Sequence, residues 1–60
     1  MEKRFISVKE LSECLGLSVK TIRSWVFKRN IPYHKLGGAV RFDLRELDKW
    51  FADQRIENIT

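Results

Sequence analysis

Residues 7–27 read SVKELSECLGLSVKTIRSWVF, and this stretch predicts two short helices separated by a tight turn. Ser7 followed three residues later by Glu10 is a capping box, which marks the N-terminus of a helix. Ser18 opens the second helix in the same way, with a weaker partner three residues on. Gly16 stands where a left-handed residue commonly ends a helix. Two helices joined by so short a turn make a helix-turn-helix.

A third helix is predicted further along the chain. Asp43 with Glu46 is another capping pair, and an apolar stripe of helical period follows it. Between the second and third helices, Pro32 forbids continuation of the second helix, and we expect Asn30 to end it. Each helix has one apolar face that we expect to meet in a single core: Val8, Leu11, Cys14 and Leu15; Val19, Ile22, Trp25 and Val26; Leu44, Leu47, Trp50 and Phe51.

Residues 33–42 read YHKLGGAVRF and predict a β-hairpin. Two short segments with aromatic and β-branched residues flank Gly37-Gly38, and such a pair favours a two-residue turn. We expect the core-facing residues to be Leu36, Val40 and Phe42 and the solvent-facing ones to be Lys35 and Arg41. The predicted fold class is therefore mostly α with a small β-hairpin: a winged helix-turn-helix of three helices, with the wing between helices 2 and 3. We expect one domain over residues 1–60, with a core at about 5–56.

The charge of the chain is segregated. The 60 residues carry 12 Lys and Arg against 8 Asp and Glu, a net charge of +4. Residues 14–42 contain no acid, and their six cations are Lys20, Arg23, Lys28, Arg29, Lys35 and Arg41. An ordinary solvated surface intersperses both signs, so this distribution favours a polyanionic partner.

The outer face of the second helix carries side chains of the kinds that contact DNA. At 100° per residue, the arc opposite the apolar face holds Lys20, Thr21, Arg23, Ser24, Phe27 and Lys28. Such side chains reach phosphates and base edges, and the major groove of B-DNA admits one α-helix. Simpler interpretations stay open: a merely solvated face for the cations, a capping role for Thr21, and an offset of the helix dipole by Arg29. Phe27 could meet a thymine methyl, stack on the sugar backbone or pack under the hairpin.

The sequence contains no set of residues typical of an enzyme. His34 is the single histidine, with no triad partner and no Cys, His or acid at metal-ligand spacing, so we expect no catalytic residues, metal or cofactor. Cys14 is the single cysteine, which excludes an internal disulfide and fits a reducing cytoplasm. We therefore expect a cytoplasmic, nucleoid-associated protein, with no membrane contact and no evident small-molecule ligand.

The ordered motifs resemble a known family. The matching motifs are SVKELSECLGLS, a Thr-Ile pair in the second helix, IPY at the hairpin entry, LGGAVRFD, and an aliphatic-x-x-Trp pattern ending at Trp50. Together they are similar to the excisionase-type helix-turn-helix family, which belongs to the MerR-like winged-helix group. The resemblance spans roughly residues 5–52. It implies that the second helix, at about 19–29, enters the major groove. The wing, at 33–42, would lie on the backbone or in the adjacent minor groove.

The resemblance also implies which residues contact DNA. Those of the helix are Ser18, Val19, Lys20, Thr21, Arg23, Ser24, Phe27 and Lys28, and those of the wing are Lys35, Gly37, Gly38 and Arg41. Phe27 departs from the polar residue often seen at its position. Arg41 has two interpretations of equal weight: contact with DNA, or pairing with the third helix.

The predicted function is sequence-specific binding of double-stranded DNA without covalent chemistry. The role would be that of an excisionase, which sets the direction of DNA recombination, or of a small transcription regulator. The alternatives are the DNA-binding domain of a transposase or of a phage terminase small subunit, or a protein-interaction module that uses the Phe27 face. Besides DNA, the expected partners are a recombinase or integrase, or a second copy on an adjacent site.

Overall fold

Three helices and a small antiparallel sheet make up the protein. The computed structural model describes residues 3–56. In chain order the elements are β1 (Phe5–Ile6), α1 (Val8–Leu15), α2 (Val19–Phe27), β2 (His34–Leu36), β3 (Ala39–Asp43) and α3 (Leu44–Asp53). The predicted winged helix-turn-helix is confirmed.

The helix N-termini form as the sequence predicts. The Oγ of Ser7 accepts a hydrogen bond from the Glu10 amide at 3.1 Å, and the Glu10 carboxylate accepts one from the Ser7 amide at 3.1 Å. The Oγ of Ser18 accepts from the Thr21 amide at 3.1 Å. These bonds satisfy amide groups that have no partner inside the helix.

Both helices of the helix-turn-helix end in the same left-handed turn. After α1, Gly16 has a φ of 68°, and the Leu17 amide donates to the Ser12 carbonyl at 3.0 Å. After α2 the left-handed residue is Arg29, with a φ of 57°, and the Asn30 amide donates to the Trp25 carbonyl at 2.9 Å. This pairing is that of a Schellman motif. The expectation that Asn30 itself would end the helix is wrong by one residue. The earlier turn allows Ile31, 3% exposed, to enter the core.

The sheet has one strand more than the sequence predicts. Its order is β1-β3-β2, with Ile6 paired to Phe42 and Leu36 paired to Ala39. Gly37 and Gly38 have φ angles of 58° and 87°, as a two-residue hairpin turn of type I′ requires. The predicted turn is confirmed, whereas the pairing of β1 with β3 was not predicted.

The two faces of the hairpin differ from the expectation. Lys35 pairs with Val40, and directly paired residues share a face, so Lys35 lies on the face of Val40 and Phe42. Leu36 lies on the other face with Arg41 and is 50% exposed. The expectation that Leu36 would face the core is therefore wrong. A two-residue turn after Leu36 fixes the register and puts Leu36 opposite Ala39.

A single core joins the helices to the sheet. Its buried hydrophobic residues are Ile6, Val8, Leu11, Ile22, Ile31, Phe42 and Leu47, with Trp25, Val26, Leu44 and Trp50 among those packed against it. Besides Leu36, two predicted core residues lie outside: Cys14 is exposed and Phe51 is 37% exposed. Ser12 is buried instead of Cys14, because its Oγ donates to the Lys9 carbonyl at 2.7 Å and satisfies the hydroxyl locally.

The start of α3 is tied to the sheet. Asp43 is buried; its Oδ1 accepts from the Arg45 amide at 2.9 Å, and its Oδ2 accepts from Nη2 of Arg4 at 3.1 Å. The hydrogen bond from Arg4 is the main reason that the pKa of Asp43 lies below its usual value. Asp43 is thus the N-cap, as predicted. The second bond of that capping pair, from the Asp43 amide to the Glu46 carboxylate, is absent among the described residues, and the Glu46 carboxylate instead contacts Nε2 of His34 at 2.6 Å.

Within residues 3–56, no helix has the length and apolar character needed to cross a membrane.

Candidate nucleic-acid interface

The outer face of α2 is exposed over two turns. Lys20, Arg23 and Lys28 are exposed to solvent, while Ser24 is half-buried. Arg23 and Phe27 lie four residues apart, which places them one turn apart on the same side of the helix. The face predicted to meet DNA is thus free to meet a partner.

Side chains at the N-terminal end of α2 cap the helix. The Ser18 and Thr21 hydroxyls lie 2.9 Å apart and hydrogen-bond to each other, and the Thr21 amide donates to Ser18. The capping role of Thr21 is therefore confirmed. Val19 is half-buried against the core, which leaves only part of its side chain for a partner.

Phe27 is the most exposed residue of this face. It is 89% exposed, so the interpretation that it packs under the hairpin is wrong. Phe27 nevertheless borders a small, mostly apolar pocket of about 270 Å³, whose lining is Val8, Arg23, Val26, Phe27 and Val40. Burial of this side chain against an apolar group of a partner would remove apolar area from water and stabilise the contact.

The hairpin supplies a second cationic element. The wing, residues 33–42, has Lys35, Gly37 and Gly38 exposed and Arg41 half-buried. Nη1 of Arg41 donates to the Val40 carbonyl at 2.7 Å. In the part of the chain that the structure describes, no carboxylate lies within ion-pair distance of Arg41. The predicted alternative, pairing of Arg41 with the third helix, is therefore wrong.

A groove joins α2 to the wing. Its lining comprises Ser7, Val8, Lys9, Arg23 and the wing residues Gly38 to Arg41, and it adjoins the pocket beside Phe27 through Val8, Arg23 and Val40. Sequence reasoning missed Lys9 because this residue lies outside the acid-free segment 14–42. The capping box could have located it, since Ser7 places Lys9 in the first turn of α1, beside the wing.

The cations of this surface are not neutralised internally. Among residues 3–56 the ion pairs between charged side chains are Lys3–Glu10 and Arg4–Asp43, and Nε2 of His34 lies 2.6 Å from the Glu46 carboxylate. None of the six cations of residues 14–42 takes part in them. The acids of these pairs lie in α1 and around the start of α3, so the charge segregation of the sequence persists in the fold.

A different cluster lies where the wing meets α3. Ligand atoms of His34, Asp43 and Glu46 lie within 4.8 Å of one another, although the sequence spacing predicted no acid near His34. His34 also contacts the Phe5 ring edge-on, with a centroid distance of 5.7 Å. The Asp43 carboxylate already accepts hydrogen bonds from Arg4 and from the Arg45 amide, and the Glu46 carboxylate contacts His34. The contact of His34 with Glu46 joins the wing to α3.

Comparison with known proteins agrees with this arrangement. A family described as a helix-turn-helix domain matches residues 5–55, so the chain belongs to that family. This match confirms the resemblance inferred from the motifs and supports DNA as the partner. No significant similarity to a curated protein or to a solved structure was found.

Proposed function

We propose that this protein binds double-stranded DNA sequence-specifically, as a single domain over residues 1–60. In the proposed complex α2 lies in the major groove, and the wing lies on the backbone or in the adjacent minor groove. The observation that carries the proposal is the surface of α2 and the wing, whose cations have no carboxylate partner within the described chain. An unneutralised cationic surface on one helix and one hairpin suits the phosphates on either side of a groove.

Each side chain has a proposed part in this contact. Arg23, at the centre of the exposed face, reads a base, since Arg pairs bidentately with O6 and N7 of guanine. Lys20 and Lys28, about one turn of helix from Arg23, contact phosphates. Ser18 and Thr21 lie near the DNA backbone. In the wing, Lys35 and Arg41 contact phosphates, and Gly37 and Gly38 allow a close approach of the turn to the DNA backbone.

The biological role that we propose is that of an excisionase or of a small transcription regulator in the cytoplasm, associated with the nucleoid. The support is the family match together with the motifs LGGAVRFD and IPY. One domain of this size buries only about 600–1,000 Å² on DNA. Useful specificity would then come from a second copy on an adjacent site or from a recombinase bound beside it.

Titration of the protein with a random duplex tests the proposal. Fluorescence anisotropy is recorded with a duplex of about 20 base pairs at several salt concentrations. Contact with about 4 to 6 phosphates predicts a slope of log K against log salt near −4 to −5. Absence of binding even at low salt would overturn the proposal.

A protein-interaction module is the second candidate, favoured by the exposure of Phe27. It predicts no salt-sensitive binding to DNA of arbitrary sequence. The same titration therefore separates the two candidates.

A further inference from the structure

The pocket beside Phe27 has a composition that is unusual for the middle of a cationic surface. Four of its five lining residues are apolar (Val8, Val26, Phe27 and Val40), and the fifth is Arg23. The pocket opens beside the exposed face of α2, where Lys20 and Lys28 also lie in solvent. An occupant must therefore combine a small apolar group with a strongly anionic frame.

The major groove of DNA supplies one such group. Thymine carries a C5-methyl group there, whereas the other exposed atoms of the base edges are hydrogen-bond donors and acceptors. Resting on the proposed DNA binding, we propose that this pocket holds a thymine methyl and that Phe27 and Arg23 together read a thymine close to a guanine.

The spacing of the two side chains sets the distance between the two bases. Residues four apart on a helix have Cβ atoms about 5–6 Å apart. Successive bases on one strand are about 3.4 Å apart along the axis, so the thymine lies within about two base pairs of the guanine that Arg23 contacts. Val40 contributes from the wing, which means that the pocket is complete only when α2 and the wing are both in place.

The test removes the methyl group and nothing else. A binding site is first selected from a random duplex library with the intact protein. Each thymine of that site is then replaced in turn by deoxyuridine, which differs only in lacking the C5-methyl group. Loss of one buried methyl should weaken binding about 3- to 5-fold at one thymine near the guanine and leave the other positions unchanged. Placing 5-methylcytosine instead of cytosine at that position, paired with guanine, should recover a similar factor.

Variants connect the effect to the pocket. Phe27→Ala should bring the ratio of affinities for the thymine and deoxyuridine sites close to one, and its 89% exposure means that the fold should survive. Ile56→Ala is the matched control, since Ile56 is 91% exposed beyond the end of α3, and it should keep the ratio of the unchanged protein.

The possible outcomes separate this inference from the proposed function. Salt-sensitive, site-selective binding with no sensitivity to deoxyuridine near the guanine would overturn the inference alone, and so would a Phe27→Ala variant that keeps the ratio. Failure to bind any duplex would overturn the proposed function, and the inference with it.

Discussion

Replacing Arg41 by glutamine tests the part that the wing plays in binding. The change removes the positive charge but keeps an aliphatic stem and an N–H donor for the Val40 carbonyl, the hydrogen-bond acceptor that Arg41 has in the structure. If Arg41 contacts a phosphate, the salt slope should become less negative by about 0.9. Over the tenfold range from about 1 M to about 0.1 M salt, this difference in slope amounts to an affinity about eightfold weaker for the variant at the low-salt end.

The loss should be the same for every DNA sequence, because a phosphate contact carries no base information. The assay is fluorescence anisotropy over a salt series, with the selected site and a random duplex measured side by side. Arg55→Gln is the control: Arg55 is equally charged, exposed and past the end of α3, and its removal should change the slope little. An unchanged slope for Arg41→Gln, accompanied by a lower melting temperature, would refute the reasoning and assign Arg41 a structural role.

Three further predictions concern the fold. Arg29→Gly should be more stable than Arg29→Ala by about 1 kcal/mol in denaturant unfolding, because both lose the charge but only glycine relieves the left-handed conformation at φ 57°; equal stabilities would contradict it. Ser7→Ala should lower the free energy of unfolding by about 1 kcal/mol, and the melting temperature by about 4–8 °C, through loss of the α1 cap; an unchanged melting temperature would argue against the cap. The pKa of Asp43 is lowered in the folded state, chiefly by the hydrogen bond from Arg4, so the stability that its charge contributes is present above its unfolded pKa of about 4 and is lost as pH falls through the folded value. Asp43→Asn should therefore flatten the fall in stability on the acid side; an unchanged acid profile would contradict the assignment.

Local signals in the sequence were sufficient for most of the fold. The caps at Ser7, Ser18 and Asp43 and the Gly37-Gly38 turn depend on contacts within a few residues, which a sequence shows directly. The hidden face of α2, with Ile22 fully buried, also follows from a simple helical period.

The errors occur where distant segments decide the outcome. β1 has only two residues and pairs with a strand more than thirty positions away in the sequence. No local sequence pattern predicts this pairing. The Glu46 carboxylate does not cap α3, because the fold places His34 within hydrogen-bond distance of it. The burial of Ser12 in place of Cys14 is an exception, since the hydrogen bond from the Ser12 hydroxyl to the Lys9 carbonyl is local.

Part of the candidate site could be predicted from the sequence and part could not. Charge and helical periodicity predict the cations of α2 and the wing, and they predict that the outer face of α2 is exposed. The pocket beside Phe27 could not, since Val8 of α1 and Val40 of the wing reach it only through tertiary packing. Lys9 in the groove between α2 and the wing was missed for another reason: it lies outside the acid-free segment 14–42, although the capping box at Ser7 places it in the first turn of α1.

Amide chemical shifts recorded on addition of DNA test the central claim most directly. The claim predicts that a duplex containing the selected site shifts the amides from Lys20 in α2 to Lys28 just after it, and those of the wing. The amides around the groove on the other side of α2, which Trp25, Trp50 and Phe51 border, should move little. Shifts concentrated around that aromatic groove, with α2 and the wing unaffected, would contradict the account.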